Sequence, residues 1–381
     1  KGGSTEKGGS TEKDGSEETD GSEETDALEE YEDLEKEITF GEVDFDYLEK
    51  EDLNILAASG KDMAIIINTG GQIDMKDILS IPNVKAILSL SQAGMEGGNA
   101  LCDILTGAVT PSGKLTDTWA KNYSDFPNSA TFSHNNGNVT TEKYEEGLYV
   151  GYRYFDSFEM DVEYPFGYGL SYTDFTIHTD EIQTNENDVT LKVTVTNTGS
   201  TYSGKEVVQI YASCPQGTLP KEYKRLCGYA KTKLLAPQES ETLTLIIPAD
   251  ALASFSEEAS AWLLEKGLYG IWIGNSSRDV SLEGLLTVEN ETILETVSSI
   301  CPLQEDLEEL IAPNSIALEE SWHKIASEKG LVPIPFAPQA IIKTKIAPNA
   351  YDEMAETIVN QLSDEELSYM VIGEISKGQE N

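Results

Sequence analysis

Glu146-Gly-Leu-Tyr-Val-Gly-Tyr-Arg-Tyr-Phe-Asp156, a short polar spacer, and Tyr164-Pro-Phe-Gly-Tyr-Gly-Leu-Ser-Tyr-Thr173 form the densest cluster of aromatics and glycines in the chain. Tyr149, Tyr152, Tyr154, Phe155, Tyr164, Phe166, Tyr168 and Tyr172 all lie within it. Aromatic side chains bury large areas, and glycine lets backbones approach closely or take φ > 0. Such a segment belongs under something: it is an aromatic core loop or a seam between two folded units. The flanking sequence chooses between them.

Upstream, Tyr47 to Ser59 reads as an amphipathic helix with Leu48, Leu53, Ile55 and Leu56 on its apolar side. Asp62-Met-Ala-Ile-Ile-Ile-Asn68, closed by Thr69-Gly70-Gly71, reads as a strand buried on both faces. A short helix near Met75 to Ser80 and a Pro82-Asn83 turn lead to a second such strand, Val84 to Ser91. Gly94 to Thr106 reads as a helix that packs Ala100, Leu101, Ile104 and Leu105. This alternation predicts a parallel α/β unit. Its ligand face lies beyond the strands' carboxyl ends, at Asn68-Thr-Gly-Gly and Ser91 to Asn99. Gly94, Gly97 and Gly98 fit neither phosphate-loop spacing, so close packing of helix on sheet is their expected use.

Downstream of Thr173 the period switches to two. Val189 to Asn197 alternates cleanly, and Glu206–Ala212, Tyr223–Lys231, Glu241–Ile247, Ala261–Leu264, Gly267–Gly274 and Val280–Val288 read as further strands. Seven short strands in about 110 residues predict an antiparallel β-sandwich. From Glu291 the pattern reads as helical, then Pro-rich, with Leu331-Val-Pro-Ile-Pro-Phe-Ala-Pro338 as a stiff extended connector. Ser363-Asp-Glu-Glu366 is a capping box ahead of Leu367 and Met370. Residues 1–36 are low-complexity acidic repeats, expected to form a disordered arm because Gly, Ser and like charges cannot offset backbone ordering. The resulting organisation is arm 1–36, α/β domain 37–175, β-sandwich 176–290, linker 291–350, and a further helical element 351–381.

The chain has 381 residues and a net charge of -42, from 26 Lys and Arg against 68 Asp and Glu. That charge repels nucleic acid and anionic membranes, so neither is an expected partner. No apolar run reaches the roughly 18 residues of a spanning helix. The chain opens Lys-Gly-Gly-Ser, without Met or an apolar signal region, which suggests a fragment or processed product. Cys102, Cys214, Cys227 and Cys301 lack metal spacing, and a reduced, cytoplasmic state is the simpler reading. Cys214 and Cys227 are the one pair placed for a bridge across a β-loop. No Gly-x-Ser-x-Gly elbow occurs, and His134, His178 and His323 are far apart in sequence, with His134 in an Asn-rich loop. No cofactor or metal is expected. An oligomer is compatible with the sequence.

Gln92-Ala-Gly-Met-Glu-Gly-Gly-Asn-Ala-Leu101, Pro111-Ser-Gly-Lys-Leu115, Tyr144 to Asp156 and Pro165 to Thr173 together resemble the C-terminal α/β-sandwich domain of glycoside hydrolase family 3, the β-glucosidase group. Asn197-Thr-Gly, Gly204-Lys-Glu-Val-Val-Gln-Ile-Tyr211 and Gly274-Asn-Ser-Ser-Arg-Asp279 resemble the fibronectin type III-like domain that follows it. The resemblance runs from about residue 45 to 290. It implies a retaining hydrolase of β-linked glucosides or oligosaccharides, with an Asp nucleophile on a (β/α)8 barrel and a Glu acid/base on the α/β-sandwich domain. Tyr351 to Gly373 resembles the first helical segment of that barrel in members with reversed domain order, which would put the nucleophile beyond Asn381. The family's Gly-Glu-Gly loop is replaced by the acidic repeats, and neither Glu18 nor Glu23 is assigned as the acid/base. No catalytic residue is therefore assigned.

The leading expectation is a β-glucosidase-type hydrolase fragment with a neutral substrate, which depends on a barrel of the same polypeptide and is inactive alone. The alternative is a non-catalytic carbohydrate-binding or adhesion protein. Phe166, Tyr168 and Tyr172 are expected to be buried and to fix how the two domains sit.

Overall fold

The computed structural model describes residues 60–298, 307–340 and 350–372, together with Ile55, Ala57 and Ala58. The acidic repeats lie outside the described residues. So does the helix expected over 47–59, except that Ile55, Ala57 and Ala58 are helical.

Strand β1 (Met63–Ile67) pairs in parallel with β2 (Val84–Ser89), with Ile65 opposite Ile87, and the crossover carries the short helix Lys76–Leu79. Three consecutive Ile end β1 ahead of Gly70-Gly71, and the Pro82-Asn83 turn leads into β2, so both strands have abrupt ends. Ile67, Met75, Ile78 and Trp119 form the small core beneath them. Burial on both faces does not hold: Ala64, Lys85 and Ala86 are exposed, and Ile67 alone among the β1 residues is fully buried. The reason is geometric, because the described sheet has two strands and one covered face. The expected helix is present as Gly97–Leu105, yet Ala100 and Leu105 are exposed and none of its side chains is fully buried. Gly97 is required by its own loop: an added Cβ would lie 2.4 Å from the Ala93 Cβ, and Gly94 and Gly98 face open space. Packing of helix on sheet therefore does not explain these glycines.

β3 (Trp119–Ala120) pairs antiparallel with β4 (Val162–Tyr164), and the opposed Trp119 and Tyr164 rings meet edge to face at 6.1 Å. Between them the aromatic stretch forms the helix Tyr152–Ser157.

The sandwich then begins with a strand that the sequence reading missed, β5 (Phe175–Thr184). β6 (Asp188–Asn197), β7 (Val207–Ser213), β8 (Arg225–Lys231), β9 (Ser240–Pro248), β10 (Ser254–Ser256), β11 (Ala261–Leu264), β12 (Gly267–Gly274) and β13 (Val280–Val288) follow. The stretch after Glu291, read as helix, instead opens as strand β14 (Thr292–Thr296), and helix comes only at Ser315–Lys329. β15 (Ile334–Pro335) lies in the Pro-rich run. That run is not a free connector: it adds to β13 in parallel, and Phe336 is buried. An edge position tolerates proline, which has no N–H to donate.

One sheet has the order β5-β6-β9 and the other β15-β13-β12-β7-β8. β6 keeps strict alternation, with Val189, Leu191, Val193 and Val195 at 0% exposure facing the second sheet. β7 breaks it, with six consecutive buried residues. The cause is a second core on the outer face of the five-stranded sheet, where Tyr211, Trp272, Leu282 and Leu285 meet Trp322 and Ala326 of the helix Ser315–Lys329. Gly270 opens the space, since a Cβ there would sit 3.2 Å from the Trp322 ring. Asn197 stands at the end of β6 with no exposure. Its Nδ2 donates to the carbonyls of Tyr202 (2.9 Å) and Leu235 (3.0 Å), and its Oδ1 accepts from the Thr173 hydroxyl at 2.6 Å.

Toward the C-terminus, helices Ala350–Val359 and Asp364–Ile372 appear as expected, and the capping box forms: Ser363 N–H donates to Glu366 Oε2 at 2.8 Å. Cys102, Cys214 and Cys227 are free thiols, and Cys301 lies outside the described residues.

Trp322 is the anchor of the outer core, so Trp322→Ala is expected to cost about 3–5 kcal/mol in urea unfolding. A loss below about 1 kcal/mol would mean that this second core adds little.

Candidate functional site

The carboxyl ends of β1 and β2 lie side by side, where ligands of parallel α/β sheets sit. Leu90 N–H donates to the Ile67 carbonyl at 2.8 Å and extends the pairing past the strands. Beyond it, Gly70 lies against Gln92, with its virtual Cβ 3.2 Å from Nε2. The Thr69 hydroxyl donates to the Gly71 carbonyl at 2.7 Å. Ser91 adopts a left-handed φ of 53°, which turns the chain out of β2 and toward the helix Gly97–Leu105. At the head of that helix, Asn99 Nδ2 donates to Glu96 Oε2 at 2.5 Å. Asn68, Gln92, Glu96 and Asn99 are exposed, as is Met95.

This edge presents amides and a carboxylate in the open, a set suited to the hydroxyls of a neutral ligand. It does not by itself contain the carboxylate pair that glycoside hydrolysis uses, because the two loops contribute only Glu96. Among the described residues no three His, Cys, Asp or Glu side chains converge as a metal site. The histidines stay apart in chemistry as in sequence: His134 sits 3.6 Å from Glu142, His178 3.9 Å from Asp180, and His323 3.9 Å from Glu319.

The edge is held against the sandwich by a seam built from the aromatic stretch. Asp156, 8% exposed, accepts from Arg278 Nε at 2.9 Å, and Lys224 Nζ stands 3.8 Å from its other oxygen. Lys224 Nζ donates to the Ser277 carbonyl at 2.5 Å and lies over the Tyr223 and Trp272 rings, 5.2 and 5.5 Å from their centroids. Burial pushes the Asp156 carboxyl up from its ordinary value against the pull of Lys224 and Arg278, and burial pushes the Lys224 ammonium down. The Tyr152 hydroxyl accepts from Leu226 N–H at 2.7 Å, and Ser157 Oγ accepts from Tyr223 N–H at 2.9 Å. Gly167, with φ 83°, lies so close to Gln209 that a Cβ would fall 2.4 Å from its amide. The Phe166 carbonyl accepts from Ser277 N–H at 2.9 Å. Pro111–Leu115 enters the same seam: Leu115 pairs with Gly167 and Tyr168, and Lys114 Nζ lies 2.8 Å from Glu206 Oε1.

The side chains expected to be buried here are differently placed. Tyr149 and Phe155 are the fully buried ones, at 2% and 1% exposure. Phe166 and Tyr168 are half-buried, and Tyr172 is 41% exposed, its hydroxyl donating to the Ile104 carbonyl at 2.9 Å. Tyr172 reaches back along the surface to the end of the helix Gly97–Leu105 rather than down into the core. The ionic heart of the seam escaped the sequence reading. Its signal was present in Asp156, Lys224 and Arg278, charged residues set inside otherwise aromatic or β-like runs.

The described chain is an α/β unit with an open strand-end edge, locked to a β-sandwich. The glycosyl hydrolase family 3 C-terminal domain matches residues 21–152, and the fibronectin type III-like domain matches residues 206–277. The chain thus carries the C-terminal domain of glycoside hydrolase family 3 followed by a fibronectin type III-like domain. β-Glucosidase A of Butyrivibrio fibrisolvens is 38% identical over 274 residues, 66% of this chain and 32% of that protein. The β-glucosidase of Ruminococcus albus is 33% identical over 342 residues, 86% of this chain and 35% of that protein. Among solved structures, a β-glucosidase from Paenibacillus barengoltzii superposes with a TM-score of 0.62 at 38% identity, over 66% of this chain and 29% of its own. β-Glucosidase 3B from Thermotoga neapolitana, in complex with glucose, gives 0.59 at 36% identity, over 64% of this chain and 33% of its own. The chain spans about a third of the length of the curated relatives it matches.

Asp156→Ala leaves Lys224 and Arg278 without their carboxylate, so a loss of about 3–5 kcal/mol in urea unfolding is expected. A near-neutral result contradicts the ionic seam. A pH prediction comes from Glu265, which reaches from the β11–β12 turn to Thr218 and Lys221 of the β7–β8 loop. Burial pushes the Glu265 carboxyl up, but hydrogen bonds from Lys221 and Thr218 outweigh it and leave the group below its ordinary 4.5. The stabilisation is therefore complete above about pH 4.5 and is lost as pH falls through the depressed folded value. Glu265→Gln should lower stability at pH 7 and flatten the loss below pH 5. Parallel acid-unfolding curves for the two proteins would contradict this.

Proposed function

We propose that this chain is part of a retaining β-glucosidase-type glycoside hydrolase that cleaves O-glycosyl bonds of neutral β-linked glucosides. Its role is to supply the strand-end edge that meets the sugar and the sandwich that holds this edge in place. The carrying observation is the pairing of the family 3 match over residues 21–152 with an exposed edge of amides and one carboxylate, Glu96, at Asn68–Gly71 and Ser91–Asn99. β-Glucosidase activity is named for the relatives, and a glucose complex for one of them.

A retaining mechanism uses two carboxyl groups about 5–5.5 Å apart, one attacking the anomeric carbon and the other protonating the leaving oxygen. With one carboxylate in the two strand-end loops, this edge offers at most one member of such a pair. The 381-residue chain is expected to lack robust turnover. Hydrogen bonding to hydroxyls and orientation of the ring are what its own residues supply.

Two assays test the reading. The chain alone is expected to release no p-nitrophenol from aryl β-glucosides above background, and robust turnover would contradict the inactive-chain reading. The second assay grafts only Asn68–Gly71 and Ser91–Asn99 of this chain into the aligned loops of the Butyrivibrio β-glucosidase A, leaving the rest of that enzyme in place. Activity of the chimera on β-glucosides supports the role, and a folded chimera without activity contradicts it.

A further inference from the structure

The sandwich carries a feature that the seam and the strand-end edge leave unused. β10, β11 and β14 form a separate three-stranded antiparallel sheet. In its register Phe255 lies opposite Trp262, and Trp262 lies opposite Glu295. The neighbours Ser254, Ser256, Ala261 and Leu263 turn inward and are buried. The alternation of the strands therefore sends Phe255, Trp262 and Glu295 outward in one row. Phe255 is 39% and Trp262 41% exposed, with ring centroids 5.3 Å apart, and Ile293 beside them is 48% exposed. The other three tryptophans, Trp119, Trp272 and Trp322, are all buried. One tryptophan has been left at the surface in a chain that buries the rest.

We propose that the Phe255–Trp262–Glu295 row is a second binding surface, a platform for a neutral polysaccharide or oligosaccharide chain. A pyranose ring presents an apolar face of C–H groups, which stacks on an aromatic ring, and equatorial hydroxyls at its rim, which donate to a carboxylate. The row supplies both kinds of contact in order, two rings followed by an acceptor. Charge rules out one class of occupant, and the stacking of C–H faces on the two rings favours a pyranose. The row ends on Glu295, the β10–β11 turn carries Glu257 and Glu258, and the chain has a net charge of -42, so anionic polymers and membranes are repelled. A neutral polyol pays no such penalty. The inference rests on the carbohydrate reading above but not on catalysis by this chain. Turnover reports on the strand-end edge, and retention on a glycan reports on the platform. The rival use is structural, since a cross-strand aromatic pair stabilises a short hairpin by a few tenths of a kcal/mol to about 1 kcal/mol.

The test uses the full chain in native gels containing barley β-glucan, laminarin or xylan, with a non-binding protein as mobility reference. The wild type is expected to be retarded by at least one of the three. Trp262→Ala is expected to weaken that retention about tenfold or more, the scale of a lost aromatic stacking contact. Phe255→Ala should weaken it less. Thermal melts establish that each variant is folded. A second readout needs no variant: Trp262 is the tryptophan open to acrylamide, so bound oligosaccharide should protect the wild-type fluorescence from quenching. Wild-type protein that runs unretarded in all three glycans overturns the proposal, as does retention that survives Trp262→Ala in a folded variant. A fall in melting temperature with no wild-type retention assigns the pair to hairpin stability.

Discussion

Asp156 is the constraint on which the rest of the structure depends. Its carboxylate is buried between Arg278 and Lys224, and both cations come from the sandwich while Asp156 comes from the α/β unit. Removing charges from water is costly, and their attraction offsets that cost only when the geometry holds. The geometry holds through Lys224 on the Ser277 carbonyl and two aromatic faces, and through Arg278 on Asp156 Oδ1 and on the Met160 carbonyl at 2.7 Å, while Asp156 Oδ2 accepts no hydrogen bond and has Lys224 Nζ 3.8 Å away. The α/β unit is thereby fixed to one orientation on the five-stranded sheet. The edge at Asn68–Gly71 and Ser91–Asn99 inherits that orientation.

The motifs that mark the family converge on this seam. Tyr152 and Phe166 from the aromatic stretch pack on Tyr211, Gln209 presses on Gly167, and the Asn275–Arg278 turn binds both Gln209 and Asp156. Leu115 and Lys114 join from the Pro-Ser-Gly-Lys-Leu turn. These residues are scattered through more than a hundred and sixty positions of sequence, and the fold gathers them into a single joint. The family signature in this chain is therefore largely the signature of a domain contact rather than of a catalytic centre.

Much of this was legible in the sequence. β11, β12 and β13 fall where alternation and Gly/Pro punctuation place them, and β1 with β2 reads correctly as a parallel pair. Local pattern failed where tertiary contact overrides it. β5 is illegible in the sequence because Phe175 to Thr184 is polar and only half-buried, so its alternation is faint. β14 is masked in the sequence because its five residues sit in an acidic run that favours helix. Burial of β7 on both faces followed from Trp322, more than a hundred residues away, which no window on β7 can see. The open strand-end edge was legible as a place from strand order alone. The partners of its side chains were not, because the Glu96–Asn99 and Gly70–Gln92 contacts depend on how the loops fold back.

Native-state hydrogen exchange tests the central claim that the seam makes the two units one cooperative body. The amides of Leu226 and Tyr223 are bonded across the seam to Tyr152 and Ser157, and the amide of Val193 lies within the sandwich core. If the seam opens only when the protein unfolds, the Leu226 and Tyr223 amides exchange with the same free energy as Val193 and share its dependence on urea. Exchange of the seam amides by a local opening with little urea dependence, while Val193 stays protected, would contradict the account.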